Sequence, residues 1–88
     1  MAKYDEMAVI RIIYLIPGKV PPGSATKKVR KKSLTDNLDY TDEHIDSLQM
    51  EMDRYVKTIK PEEKVTDAEI GDCDTVGDVL DLIEEKTK

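Results

Sequence analysis

Apolar residues crowd one stretch of the chain and recur at intervals along two others. Met7-Ala8-Val9-Ile10-Arg11-Ile12-Ile13-Tyr14-Leu15-Ile16 is nearly continuous, broken only by Arg11. Its period alone admits a buried strand as readily as a buried helix, because so many residues are β-branched. No second convincing strand exists to pair with it, and a lone strand would strand its backbone N–H and C=O groups. A buried helix is therefore expected, ended by Pro17-Gly18. Further on, Leu48, Met52, Tyr55, Val56 and Ile59 recur at helical spacing and give one apolar stripe. That helix should fade near Lys60, since Pro61 disfavours helix at the residue before it. Val76, Val79, Leu80 and Ile83 form the buried face of a last helix, with Lys86 and Lys88 near its negative end.

The helix starts can be read from their caps. Asp46 suits an N-cap, Gln49 can complete a capping box, and Ile45 and Met50 can close as a hydrophobic staple. Thr41-Asp42-Glu43-His44 is a rival start with Thr41 as cap. A helix beginning there would bring Ile45 onto the apolar stripe and carry Ser47 into the second turn. Cap, box and staple coincide at Asp46, so the start is expected there, with Ser47 at the first helical position and open to water. Thr66-Asp67-Ala68-Glu69 is a second capping box, opening a short turn that Gly71 stops. Asp74 or Thr75 caps the last helix. The expected fold is all-α, with three main helices, one short one and a long first loop.

At 88 residues the chain is read as one small domain, 1–88, with a core only marginally sufficient. It has no Trp and no Phe, so Ile, Leu, Val, Met and Tyr must fill that core. The net charge of -5 makes a nonspecific nucleic-acid binder unfavourable and fits a protein that meets basic partners. Cys73 stands alone, which excludes an internal disulfide and a Cys-rich zinc site, and suits a small core residue in a reducing cytoplasm. The run from Met7 to Ile16 is too short to span a bilayer. Asp5 and Glu6 precede it where a signal peptide carries positive charge. A monomer located in the cytoplasm is expected.

Residues 17–40 are read as a long loop. It carries Pro21, Pro22 and Gly23, then Lys27, Lys28, Arg30, Lys31 and Lys32, the only strongly basic segment. A solvated mobile connection explains it. An electrostatic contact with an acidic partner or polyanion explains it too, though no aromatic residue interleaves the lysines to stack bases. Leu34 and Leu38 can tuck the end of this segment under the core.

Catalytic chemistry finds little footing. His44 is the only histidine, so a histidine-rich metal site is excluded, and its nearness to Ser47 in sequence does not make a triad. Glu62, Glu63, Asp67, Glu69, Asp72 and Asp74 do not match a calcium-loop spacing, and no glycine-rich phosphate loop occurs. No enzymatic activity and no metal are expected.

Two motifs resemble the acyl carrier protein family, which includes the peptidyl carriers. Ile45-Asp46-Ser47-Leu48 is similar to that family's Asp-Ser-Leu attachment motif at the head of helix II. Thr75-Val76-Gly77-Asp78-Val79-Leu80-Asp81-Leu82-Ile83-Glu84 is similar to its final helix, at a similar separation. Val65-Thr66-Asp67 falls near the family's Ile-Pro-Asp turn, and Ser33 to Leu38 resembles its lead-in to the motif. The chain departs from the pattern in its longer, more basic first loop. Tyr40 to His44 looks like an insertion, and Glu51, Arg54 and Lys57 fall where carriers place apolar residues.

The resemblance implies a four-helix acyl-carrier-like bundle. It implies a phosphoprotein bearing 4'-phosphopantetheine, moved from coenzyme A to the Ser47 hydroxyl by a phosphopantetheinyl transferase. Asp46 would help position that enzyme. The arm's thiol would carry a thioester-linked intermediate among acyl-processing enzymes of fatty acid, polyketide or nonribosomal peptide biosynthesis. Glu51 and Asp53 would supply the acidic docking patch, diluted by Arg54, Lys57 and Lys60. Met50, Met52 and Tyr55 would line an acyl cleft or, more simply, pack the core. The alternative is an adaptor of the same fold without the arm, binding a partner or polyanion through Lys27 to Lys32.

Overall fold

The computed structural model describes residues 4–88. Helix α1 spans Glu6–Leu15, α2 Lys27–Arg30, α3 Asp42–Ile59, α4 Asp67–Gly71 and α5 Val76–Thr87. No strand occurs among the described residues; one isolated antiparallel bridge joins Ser33 to Thr75. The all-α expectation holds, with five helices rather than four among the described residues.

Helix α1 begins at Asp5, whose carboxylate accepts the Ala8 N–H. Val9, Ile10 and Ile13 are fully buried, so the ambiguous first run is indeed a buried helix. It stops where expected. Gly18 takes a left-handed φ of 77°, and Lys19 N–H then donates to the Tyr14 carbonyl at 2.9 Å.

Helix α3 carries its stripe as Leu48, Met52 and Val56, all fully buried, with Tyr55 and Ile59 half-buried beside them. Helix α5 buries Val76, Val79, Leu80 and Ile83. These faces meet α1 in one core that also takes Leu34 and Leu38, as the sequence suggested, and Tyr40, Val65 and Ile70. Met52 is thus core rather than cleft, while Met50 points to solvent at 60% exposure.

The segment 17–40 is not a structureless loop. Thr26 accepts the Val29 N–H and starts the single turn of α2, whose Val29 is buried against the core. The bridge follows: Val76 N–H donates to the Lys32 carbonyl at 3.0 Å, and Leu34 N–H to the Asp74 carbonyl at 2.9 Å. Residues 33–40 then wind tightly, with Asn37 and Leu38 N–H groups on the Ser33 carbonyl and Tyr40 N–H on that of Leu34. Asp39 sits at φ 58° and pairs with Lys19 at 2.7 Å. The Tyr40 hydroxyl donates to the Ile13 carbonyl at 2.6 Å, tying this segment to α1. Long-range backbone bonds order the segment, and local sequence does not display them.

Gly77 lies on the buried side of α5, where α2 crosses. A Cβ there would stand 3.0 Å from the Arg30 carbonyl oxygen. The absence of a side chain is what lets the two helices approach.

Candidate functional site: the head of helix α3

The cap of α3 is Thr41, not Asp46. Thr41 Oγ1 accepts the His44 N–H at 3.3 Å, and His44 Nδ1 accepts the Thr41 N–H at 3.0 Å. That is a reciprocal capping box with histidine in the position where Glu or Gln was sought. The Tyr40 ring meets the His44 imidazole edge-on at 5.7 Å between centroids and holds it in place. The staple expected between Ile45 and Met50 is not what anchors this end. Ile45 instead packs against the core, and Met50 stays exposed.

The consequence for Ser47 is a displacement along the helix. Asp42 is the first helical residue, so Ser47 is the sixth, in the second turn. Only the first four N–H groups of a helix lack an internal acceptor. Ser47 therefore stands beyond the free donors that would favour a phosphodiester. Its side is exposed, and it borders a shallow groove with Ile12, Leu15, Ile16 and Glu51. Asp46, exposed one residue earlier, caps nothing. The residues at the head itself are Thr41, Asp42 and Glu43, all exposed.

The remaining expected site residues separate into engaged and free. Gln49, assigned to a capping box, instead donates from Nε2 to the Val65 carbonyl at 2.6 Å. Asp53, assigned to a docking patch, accepts the Val65 N–H at 2.9 Å and pairs with Lys57 at 2.6 Å. The Lys57 ammonium and the Val65 amide hold its carboxyl below the usual carboxylate range. Gln49 and Asp53 thus clip both polar groups of one residue and hold the α3–α4 connection on the helix. Glu51 lies beside Arg54 at 3.5 Å. Arg30 is also committed, at 2.6 Å from Asp81 and 3.5 Å from Glu6. Lys27, Lys28, Lys31 and Lys32 have no carboxylate within 4 Å among the described residues.

A cavity of about 440 Å³ opens beside the head of α3. Leu34, Ile45 and Cys73 line it, with Asp36, Asp42 and Asp74 among its polar residues. Burial, with help from Asp78, Asp72, Asp74 and Glu69, pushes the Cys73 thiol up to about 11, so it is a poor nucleophile near neutrality. Its Sγ–H donates to the Glu69 carbonyl at 3.4 Å. Asp74 does not cap α5; Thr75 does, in a box with Asp78. Among the described residues no three His, Cys, Asp or Glu side chains gather as a metal site. Among the described residues no helix is long and apolar enough to cross a membrane.

The Thr41 cap wins over the Asp46 cap that the residue preferences favour. The signal for it was present in Tyr40-Thr41-Asp42-Glu43-His44, but the box lay hidden in a histidine. Comparison with known families, with curated proteins and with solved structures finds no match to this chain.

Proposed function

We propose that this chain is a non-enzymatic interaction module with a carrier-like arrangement of helices and no prosthetic arm. The helix order supports the carrier-like part. With α2 set aside as one turn within the connection, α1, a long connection, the long α3, the short α4 and α5 follow in the order that the resemblance implies. The observation that carries the loss of the arm is the capped, acidic head of α3. In the family the acceptor hydroxyl stands at that head. Here the only hydroxyl there is Thr41 Oγ1, which accepts the helix's own His44 N–H. Asp42 and Glu43 follow it, both exposed, and neither carries a hydroxyl that could accept an arm. What remains for function is the charged surface.

A second reading keeps Ser47 as the acceptor. Its exposed place beside the groove of Ile12, Leu15 and Ile16 favours it, since an apolar groove next to the attachment point could shelter a short acyl chain. One experiment separates the two. The protein is incubated with coenzyme A, magnesium and a broad-specificity phosphopantetheinyl transferase, and its intact mass is measured. Under the first reading the mass stays unchanged while a known carrier in the same tube gains the arm. A full arm on the wild type that disappears in Ser47→Ala would replace the first reading with the second.

A further inference from the structure

We propose that the ridge formed by Lys27 and Lys28 of α2 and by Lys31, its C-cap, docks a short Asp- and Glu-rich polypeptide segment of a partner protein. The proposal deepens the interaction-module reading and rests on it for its biological sense. Five of the chain's fourteen Lys and Arg fall in the six positions 27–32. The structure sorts these five, and Lys32 is half-buried where its carbonyl meets α5. Arg30 turns inward to Asp81 and Glu6. Lys27, Lys28 and Lys31 are exposed, with no carboxylate in ion-pair range among the described residues. A chain with net charge -5 has ample carboxylates to neutralise them, yet leaves these three cations free.

The ridge is also held still. Thr26 caps the turn, Val29 is buried beneath it, Arg30 is bridged twice, and the Lys32 carbonyl is bonded to α5. The close contact at Gly77 fixes the distance between α2 and α5. Charges on an ordered support lose little backbone entropy on binding, so they contribute more than the same charges on a loose loop.

The surroundings choose between anionic partners. A groove of about 350 Å³ beside the ridge runs between Lys27, Arg30 and Lys31 on one side and Thr75, Asp78 and Asp81 on the other. A continuous phosphate backbone laid along the ridge would pass these aspartates at close range. No aromatic residue in 27–32 offers a face for a base. A polypeptide can place two or three carboxylates on the lysines and present uncharged or basic residues to Asp78.

The test uses fluorescence anisotropy with a labelled peptide in which glutamates alternate with serines and a labelled oligothymidylate of equal charge. The peptide should bind, more weakly as salt screens the contact, and more tightly than the oligonucleotide. Lys27→Glu/Lys28→Glu should weaken it by about tenfold or more, and Lys28→Glu/Lys31→Glu should do the same. Lys60→Glu/Lys64→Glu makes the same change in net charge elsewhere and should change affinity by less than about twofold. Unaltered far-ultraviolet circular dichroism confirms that each variant is folded, and two ridge variants guard against the failure of one. Equal weakening by ridge and control variants, no peptide binding, or tighter binding of the oligonucleotide would overturn the proposal. The intact-mass result reads α3 and leaves this outcome untouched, so failure of either is recognisable alone.

Discussion

At the scale of single residues, the decisive choice is where α3 begins. A cap needs a side-chain acceptor at the right φ/ψ and a partner three residues on. Asp46 with Gln49 meets the residue preference, and Thr41 with His44 meets it only if imidazole replaces a carboxamide. The structure selects Thr41, at φ -101° and ψ 175°. The earlier start also puts Ile45 against the core, whereas a start at Asp46 would leave that side chain outside the helix. Full burial of a large aliphatic side chain contributes about 1.5–3 kcal/mol, and even the fraction gained by half-buried Ile45 exceeds the few tenths separating one good cap from another. Thr41→Ala should therefore destabilise the protein by about 1 kcal/mol, while Asp46→Ala and Ser47→Ala should each stay within about 0.5 kcal/mol. Urea denaturation of the three variants measures this. A larger loss for Asp46→Ala than for Thr41→Ala would return the cap, and the attachment geometry with it, to Asp46.

At the scale of elements, the periodic helices were legible and the joints between them were not. The buried faces of α3 and α5 follow from spacing alone, because Leu48, Met52 and Val56, and Val76, Val79, Leu80 and Ile83, recur one turn apart. Helix α2 offered a single apolar residue, Val29, in one turn, and its order comes from bonds to α5 some forty residues away in sequence. The Val65 clip was likewise invisible, since nothing in Gln49 or Asp53 announces a partner beyond the helix. Gly77 gives the sharpest test of these joints. Gly77 is the second residue of α5, in its first turn, where Gly→Ala gains at most the roughly 1 kcal/mol it gives in a helix interior. Here the added methyl would press on the Arg30 carbonyl at 3.0 Å, and overpacking costs about 1–3 kcal/mol. The second effect wins if α2 is fixed, so Gly77→Ala should lower the thermal midpoint, and a rise would mean that α2 yields freely. Gln49→Ala removes the donor to the half-buried Val65 carbonyl and should cost about 1 kcal/mol in the same assay.

At the scale of the whole molecule, polar contacts join parts of the chain far apart in sequence, and their titration sets the pH range of stability. Bonding and ion pairing hold three carboxyls below their ordinary values: Asp39 beside Lys19, Asp53 beside Lys57 and Val65, and Glu69 beside Lys86 and Thr66. A depressed carboxyl contributes stability that is complete above its unfolded value and is lost as pH falls through its folded one. The acid edge should then lie below about pH 4. At the other end, burial raises Tyr40 and Tyr4, the latter to about 12 with Glu6 and Glu84 assisting. Their hydroxyls donate to the Ile13 and Leu80 carbonyls and would leave those acceptors facing a phenolate on ionisation. Groups raised in the folded state give full stability below their unfolded values and lose it as pH climbs toward the folded ones. Cys73 starts this loss near pH 9 and the tyrosines continue it above pH 10, because those are the ordinary values of the groups. Urea midpoints should be flat from about pH 5 to 9 and fall on both sides. Part of the tyrosinate absorbance should appear only as the protein unfolds. Tyr40→Phe should flatten the alkaline fall and cost about 1 kcal/mol at neutral pH, because the bond to α1 goes with the hydroxyl. A folded chain whose tyrosines all ionise together near pH 10 would contradict the burial of Tyr4 and Tyr40. It would also loosen the attachment of 33–40 to α1 that sets where α3 begins.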